Sequence, residues 1–555
     1  MAENSSPDQN FYVGLCMAGA VSAGAYTAGV LDYLFEALEE WQKRKDENVP
    51  GTPMHNVVIP VIGGASAGGM TGIITASAIN NPIKHIKEPS ADLLAEHPEN
   101  KLYHSWVDLL GPDMFPMLLN TSDIKKGNIT SLLNSSFIDK VAKKVLTVNK
   151  NNWLPTPSFF SQNLKVFTTL TNLRGFGYNI AFNAMENPGK YYMRAHNDYA
   201  CFILQDNDAE GWMPLDFKND VNTSIAADAA MATGAFPVGL TARTLVRESK
   251  YVNQSPWCRD VTEKFPITTP TYESLNIDGG VINNEPFEKV RDVLIDKTKQ
   301  DNEEEYQDFN QFKSTVLMID PFPSEKPKHF EADKQIFKVM QKTLGSFLDQ
   351  MRAKPVNLTD AMDNSKAGQF LIAPTRKIDI NGKRESFGGD TAIACGSFSG
   401  FGGFISKEFR VHDFFLGRFN CEMFLRNYFT IPAEAVENNE IFKRGYEGVD
   451  KELFTSDDGK IQIIPIFSAK PPNHYFPIPT FSNGSTWPMI SNKNVERFRP
   501  MVKKRAQSLI LNLSTLGKLN TFLLWLGTKV LLNRQITKFF MKKIKSSLSD
   551  HHLLK

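Results

Sequence analysis

The chain contains the stretch Val57-Val58-Ile59-Pro60-Val61-Ile62-Gly63-Gly64-Ala65-Ser66-Ala67-Gly68. Its apolar first half predicts a buried strand over residues 55–62, and the segment that follows predicts a helix over residues 67–79. The junction is a Gly-x-Ser-x-Gly motif with Ser66 at its centre. A strand that ends in this motif and leads into a helix is typical of a nucleophile elbow, where a sharp turn exposes a serine hydroxyl beside small residues. The stretch therefore predicts a strand–helix unit and a candidate nucleophile.

The start of the chain repeats this alternation of strand and helix. Residues 11–17 predict a short buried strand, a turn of small residues follows at 18–24, and residues 25–43 predict a helix with apolar side chains at helical spacing. Further strands are predicted at residues 164–170, 275–277 and 316–320. Strands and helices that alternate with short connections favour a parallel sheet with helical crossovers. The predicted fold class is therefore α/β with a mainly parallel central sheet.

Composition restricts the class of protein. The chain has 555 residues, of which 41% are hydrophobic and 22% charged, and its formal net charge is +1. The length and composition indicate a folded globular protein with more than one domain. A net charge this close to zero gives no overall electrostatic attraction for nucleic acid. The cysteines are scattered and odd in number, which favours reduced thiols over disulfides or a zinc site; they are Cys16, Cys201, Cys258, Cys395 and Cys421. The polar N-terminus does not have the pattern of a secretory signal.

A second motif, Asp278-Gly279-Gly280, supplies a candidate base. It follows a predicted strand, as Ser66 does, so we expect both side chains to project from the carboxyl edge of one sheet. Gly279 and Gly280 allow the backbone to turn tightly there. An ionised Asp has an intrinsic pKa near ~3.9, so it is a weak base for an alcohol. A Ser–Asp pair therefore depends on an oxyanion hole, where one donor is typically worth about 2.7–4 kcal/mol.

The turn at residues 19–24 is the candidate oxyanion hole. It precedes a predicted helix, whose N-terminus offers free N–H donors and the positive end of the helix dipole. The candidate donors are the backbone N–H groups of Gly19, Ala20, Val21 and Ser22, with Ala67 as a further one.

These residues resemble the patatin-like phospholipase family, and in particular bacterial-type members with a C-terminal extension. The family has a glycine-rich turn after the first strand, G-x-S-x-G after the second, and D-G-G or D-G-A later. Here the three motifs are Gly19-Ala20-Val21-Ser22-Ala23-Gly24, Gly64-Ala65-Ser66-Ala67-Gly68 and Asp278-Gly279-Gly280. Further similarity lies in the runs Gly24-Ala25-Tyr26-Thr27-Ala28-Gly29-Val30-Leu31 and Ala232-Thr233-Gly234-Ala235-Phe236-Pro237, and at Asn283 and Pro286. The resemblance extends over residues 11–325.

The resemblance implies a patatin-like three-layer sandwich and a Ser66–Asp278 dyad without histidine. It implies a serine hydrolase that forms an acyl-enzyme on lipid esters and needs no metal or cofactor; some relatives use calcium for membrane docking, but no such module is visible here. The motif glycines are Gly24, Gly64, Gly68, Gly279 and Gly280. The predicted domains are a patatin-like catalytic domain (8–325), a mixed, largely helical extension (326–500) and basic amphipathic helices (501–555).

The first motif departs from the family pattern G-G-G-x-R-G. Its second and third glycines are replaced by Ala20 and Val21, and its basic position is Ala23. An N–H group donates without glycine, but the turn can require the φ/ψ freedom of glycine. The alternative function is therefore a catalytically weakened lipid-binding or membrane-associated scaffold.

Two other interpretations of the motifs stay open. The turn at 19–24 resembles a dinucleotide-binding loop, but Val21 replaces the middle glycine of G-x-G-x-x-G. His412, followed by Asp413, is the histidine best suited to a Ser-His-Asp triad, although a place in an aromatic helix (409–429) indicates a core residue.

The loop at 395–403 is either a mobile lid or a structural connection whose phenylalanines pack inward.

The last 55 residues are basic and interleaved with apolar side chains. Their uncharged stretches are shorter than the ~20 apolar residues of a spanning helix. The pattern, with Trp525 at its boundary, predicts an interfacial helix on an anionic membrane surface; the alternative is a helix packed on the body of the protein. We expect an acyl lipid substrate, no nucleic-acid partner, and a cytoplasmic location with peripheral attachment to the inner face of a membrane.

Overall fold

The computed structural model describes residues 9–90, 92–108, 111, 114–125, 127–182, 189–204, 209–322, 365–380, 383–469, 478–513 and 533–555, with isolated positions between 334 and 363. Most of the predicted helix at 337–351 lies outside the described residues, and so does the tail segment around Trp525.

One large sheet organises the chain. The strands are β1 (Asn10–Met17), β2 (Asn56–Gly64), β3 (Phe160–Phe182), β4 (Gly189–Ile203), β5 (Met213–Pro214), β6 (Arg243–Glu248), β7 (Thr271–Asp278), β8 (Ser314–Ile319), β9 (Gln369–Ile372), β10 (Thr375–Ile380), β11 (Lys383–Gly388), β12 (Thr430–Ile431) and β13 (Ile461–Gln462). The first nine form a sheet in the order β5-β4-β3-β2-β1-β8-β9, with β7 paired to both β3 and β6. Its centre, from β3 through β9, is parallel, which confirms the predicted fold class.

The helices cover both faces of this sheet. They are α1 (Gly24–Asp46), α2 (Ser66–Ala78), α3 (Leu93–Glu96), α4 (Lys101–Trp106), α5 (Met114–Leu118), α6 (Ile138–Leu146), α7 (Thr223–Thr233), α8 (Ser249–Asn253), α9 (Arg259–Thr262), α10 (Phe287–Thr298), α11 (Glu303–Gln307), α12 (Gly402–Ile405), α13 (Lys407–Asn427), α14 (Ala433–Asn438), α15 (Glu440–Gly445), α16 (Asn492–Glu496), α17 (Arg499–Leu513) and α18 (Asn533–Asp550). Successive residues of a strand face opposite sides. Val61 accordingly packs with α10, and Ile62 lies against α2 on the other face.

The predicted strands at 11–17, 55–62 and 316–320 correspond closely to β1, β2 and β8. The strand at 164–170 is the first part of a much longer β3, which continues beyond the sheet edge as a hairpin with β4. The direction of β7 differs from the expectation. It runs antiparallel to β3, so its end, Asp278, reaches the carboxyl edge of the parallel strands from outside and pairs with Leu170.

Residues beyond the predicted boundary at 325 share the core of the first segment. β9 adds a parallel strand beside β8. α13 crosses α1 so closely that a Cβ added at Gly29 would lie 1.9 Å from the Phe414 carbonyl oxygen, and one added at Gly417 would lie 2.2 Å from that of Tyr26. Side chains from both segments form one hydrophobic cluster. The domain boundaries at 325 and 500 stay predictions.

The described part of the basic C-terminal segment consists of α17 and α18. α17 is anchored by Arg505, whose guanidinium forms a bidentate pair with Asp123 and donates to the Leu132 carbonyl. α18 buries Met541, Ile544 and Leu548, so it packs on the body of the protein. Within the described residues, none of the helices combines the length and apolar character needed to cross a bilayer.

Candidate active site

Ser66 lies at the turn between β2 and α2. Its φ of +50° is in the left-handed region, as expected for the strained turn that presents a nucleophile. The turn requires small neighbours: a Cβ added at Gly64 would lie 2.6 Å from the Gly68 backbone, and one added at Gly68 would lie 2.3 Å from the Met17 carbonyl oxygen. The two motif glycines are therefore required by the close approach of three backbone segments.

Asp278 ends β7 and is held by hydrogen bonds on each side. Its backbone N–H donates to the Ala235 carbonyl over 2.9 Å, and its own carbonyl accepts from Thr171 Oγ1 over 2.8 Å. The Gly280 N–H donates to Asp278 Oδ1 over 2.8 Å. A Cβ added at Gly279 would lie 2.1 Å from the Thr169 carbonyl oxygen, so glycine is needed where this turn passes β3.

The two residues meet directly. Ser66 Oγ donates to Asp278 Oδ2 over 2.7 Å, and both residues are buried. Burial raises the pKa of Asp278 to about 6, an effect that the hydrogen bonds from Ser66 and Gly280 partly offset. A carboxylate with this pKa is a stronger base than an exposed one and is still mostly ionised at neutral pH. The arrangement can deprotonate the hydroxyl as it attacks.

Thr233, at the end of α7, holds the backbone of Ser66 in place. Its Oγ1 accepts the Ser66 backbone N–H over 2.8 Å, and the residue is fully buried. This satisfies one of the N–H groups that the N-terminus of a helix leaves without an intrahelical acceptor. In the sequence Thr233 is part of the motif at 232–237, and no local pattern connects it with Ser66.

The small-residue turn before α1 lies beside Ser66. A Cβ added at Gly19 would lie 2.4 Å from Asn284 Oδ1 and 3.0 Å from Ser66 Cβ, so a larger residue would crowd both side chains. Among the described residues, no acceptor takes the N–H groups of Gly19, Ala20 or Val21. These three N–H groups are therefore available as donors in the turn beside Ser66. The motif's last glycine, Gly24, packs against the Trp106 ring.

Ser22 differs from the other candidate donors, because its N–H group already has an acceptor, contrary to the prediction. Its N–H donates to the Gly400 carbonyl over 3.1 Å, so this group is already engaged. Its side chain is fully buried and also donates to the Gly400 carbonyl. Ser22 is therefore not an oxyanion donor in this conformation.

An apolar cleft opens at the Ser66–Asp278 pair. It encloses about 1070 Å³, including the space at its mouth. Its walls are mainly aliphatic and aromatic side chains from α2, α6, α7 and the segment around α12, among them Met70, Ile74, Val141, Val145, Met231, Phe236, Phe401 and Phe404. The Phe401 ring packs edge-on against Phe236, with centroids 5.7 Å apart. Such a cleft suits a hydrocarbon chain.

The histidine considered for a triad lies elsewhere. His412 is fully buried in α13, where Nδ1 bonds Asp413 over 2.7 Å and the ring packs against Trp487. The carboxylate of Asp413 in turn accepts the N–H groups of Ala394 and Cys395, each over 2.8 Å. In the part of the chain that the structure describes, no histidine bonds Ser66 or Asp278.

Comparison with known proteins identifies the family. Residues 15–291 match the family model described as patatin-like phospholipase. The chain belongs to the patatin-like phospholipase family. It is also 31% identical over 477 residues to the uncharacterized protein y4iI of Sinorhizobium fredii. That match covers 78% of this chain, which spans 66% of the length of the relative.

The patatin-like match does not include every residue at the site. Gly400, which accepts the Ser22 N–H, and the cleft residues Phe401 and Phe404 all follow residue 291. The loop at 395–403 packs inward at these positions. Part of the cleft wall is therefore supplied by the chain beyond the family match.

Proposed function

We propose that this member of the patatin-like phospholipase family is a serine lipid acyl hydrolase that cleaves carboxylic esters of membrane or storage lipids. Family membership supports a hydrolase of the phospholipase or esterase type. The finer proposal depends on one observation: a buried Ser66–Asp278 hydrogen bond at the floor of an apolar cleft.

In the proposed reaction, Ser66 Oγ attacks the ester carbonyl carbon while its proton moves to Asp278 Oδ2. The N–H groups of Gly19, Ala20 and Val21 stabilise the oxyanion of the tetrahedral intermediate. The C–O bond to the leaving alcohol then breaks, and that alcohol takes the proton from Asp278. A water molecule attacks the resulting acyl-enzyme and gives its proton to Asp278, and the fatty acid leaves as Ser66 Oγ regains a proton.

The experiment is a panel of phospholipids, neutral lipids and short p-nitrophenyl esters. Wild type is compared with Ser66→Ala and Asp278→Asn. Hydrolysis by wild type that both variants lose supports the proposal. Lipid binding without hydrolysis by the folded wild type favours the scaffold function, for which the replacement of glycines by Ala20 and Val21 is the supporting observation.

We further propose peripheral membrane attachment through the basic C-terminal segment. α18 exposes 61% of Phe539 and 36% of Ile536 beside the exposed Lys538, Lys542 and Lys543. Apolar side chains next to lysines suit an anionic lipid surface, where each cation contributes about 1 kcal/mol. Sedimentation with anionic and neutral vesicles tests this attachment, and Phe539→Ser should weaken binding to the anionic ones.

A further inference from the structure

The turn beside Ser66 contains a strained residue. Val21 has a φ of +49°, in the left-handed region that a β-branched residue rarely adopts. Such a conformation costs on the order of 1–3 kcal/mol and persists only where the surroundings fix it. The family pattern G-G-G-x-R-G has glycine at this position, and glycine adopts the conformation without strain. Contacts with the surrounding residues must therefore hold the backbone of Val21 in this conformation.

Three hydrogen bonds join the next residue to a distant segment. The Ser22 N–H donates to the Gly400 carbonyl over 3.1 Å, and Ser22 Oγ donates to the same oxygen. The Gly403 N–H donates to Ser22 Oγ over 3.0 Å. The contact extends to Val21 itself, since a Cβ added at Gly400 would lie 3.1 Å from Val21 Cβ.

The distant segment, residues 394–403, is itself held in place. The Phe398 N–H donates to Ser547 Oγ of α18 over 2.6 Å, and the Phe398 ring packs against Phe540 of the same helix. At its other end, Asp413 of α13 accepts the N–H groups of Ala394 and Cys395. The segment is therefore a fixed support for the turn that carries Val21.

We propose that Ser22 is a positioning residue, which with Gly400 and Gly403 holds Val21 in its left-handed conformation and so directs the turn's N–H groups at the oxyanion. The inference rests on the proposed function. Ser22 does not contact the reacting atoms; it acts through the turn. A segment more than 100 residues beyond the family match thus replaces the conformational freedom that glycine provides in the family pattern.

The first test is Ser22→Ala, assayed on p-nitrophenyl butyrate. A complete loss of one oxyanion donor costs about 10²–10³ in kcat, so a misdirected turn should lower kcat by about 10- to 100-fold. KM should change less than about twofold, because the cleft wall is retained. Ser249→Ala, which removes another buried serine hydroxyl in α8, is the matched control and should leave both parameters unchanged.

The second test asks whether glycine removes the need for Ser22. Val21 lines the cleft, so Val21→Gly can change KM by itself and serves as the reference. The double variant Val21→Gly/Ser22→Ala should have a kcat less than about threefold below that of Val21→Gly alone. Glycine adopts this φ without strain, so the hydrogen bonds of Ser22 are no longer needed to hold the turn. A purely structural role for Ser22 would instead give the same loss in both backgrounds.

A third variant covers the case in which Ser22→Ala does not fold. A Cβ added at Gly403 would lie 2.6 Å from Ser22 Oγ, so Gly403→Ala disturbs the same contact from the other side and should lower kcat in the same way. If wild type hydrolyses the ester and folded Ser22→Ala or Gly403→Ala matches its kcat, the inference is overturned. If wild type neither hydrolyses the ester nor reacts with a fluorophosphonate, it is the proposed function that has failed.

Discussion

Ser66 Oγ and Asp278 Oδ2 lie 2.7 Å apart although 212 residues separate them in the sequence. The contact forms because β2 delivers Ser66 to the carboxyl edge of the sheet, while β7, antiparallel to β3, delivers Asp278 to the same edge from the opposite direction. Two buried polar groups are thus each other's partner at the floor of an apolar cleft.

Asp278→Asn should remove most of the activity without unfolding the protein. Asparagine keeps the shape of the side chain and an oxygen that can accept the Gly280 N–H, but it takes no proton from Ser66. A positioned general base contributes about 10²–10⁴-fold, so kcat on a short ester should fall by at least 10²-fold. Circular dichroism is the control for folding, and a kcat within threefold of wild type would contradict the assigned role.

Activity should depend on the ionisation of Asp278. Because burial raises its pKa to about 6, kcat/KM should fall as the pH decreases through about 6, with a slope of one proton. A profile that stays flat down to pH 4.5 in folded enzyme would be inconsistent with this carboxylate as the base. The matched control is the pH dependence of unfolding, which shows whether the enzyme is intact in that range.

The raised pKa also affects stability. A carboxyl group whose pKa is higher in the folded than in the unfolded state stabilises the fold at low pH and loses that contribution as the pH rises through its folded pKa. For Asp278 this window lies between about pH 4 and 6. At pH 7, Asp278→Asn should therefore raise the free energy of unfolding, by up to about 3 kcal/mol. Denaturant titration at pH 4 and pH 7 measures the difference, which should be small at pH 4.

Thr233→Val should destabilise the elbow. The substitution preserves shape but leaves the buried Ser66 N–H without its acceptor, which costs about 1–3 kcal/mol. We expect a lower melting temperature and a lower kcat, since the turn that presents Ser66 loses a restraint. Thr233→Ser keeps the hydroxyl and should restore kcat; equal losses in both variants would argue against the hydrogen bond as the cause.

The cleft should select for the length of the acyl chain. Ala142 of α6 lines it, so Ala142→Phe should shorten the space available to the chain. Activity on long-chain esters should fall by at least about tenfold, while activity on acetate and butyrate esters changes little. Lys143→Phe adds the same ring at the neighbouring, exposed position of α6, so the activity on long-chain esters and that on short-chain esters should both stay unchanged. Parallel losses on short and long esters would show that the cleft does not bind the chain.

The local parts of the site could be predicted from the sequence. The elbow around Ser66 and the turn after Asp278 are each encoded within five residues, because a sharp turn near other backbone needs glycine at fixed positions. The strands β1, β2 and β8 could be predicted for a similar reason, since they are buried on both faces and appear as apolar runs.

The remaining features depend on contacts that no local pattern encodes. Its place at the start of a helix predicts a free Ser22 N–H, yet this group donates to the carbonyl of Gly400, 378 residues away. The antiparallel course of β7 follows from pairing with β3, and an apolar run does not reveal the direction of a strand. Thr233 and the cleft wall of α6 become part of the site only once the helices pack.

The most direct measurement is the rate of fluorophosphonate labelling, with the modified residue located by mass spectrometry. The account predicts an adduct on Ser66 in wild type and a labelling rate at least about 10²-fold lower in Asp278→Asn, since the same base activates the hydroxyl for this reaction. An adduct on a different serine, or a rate that the loss of the carboxylate leaves unchanged, would contradict it.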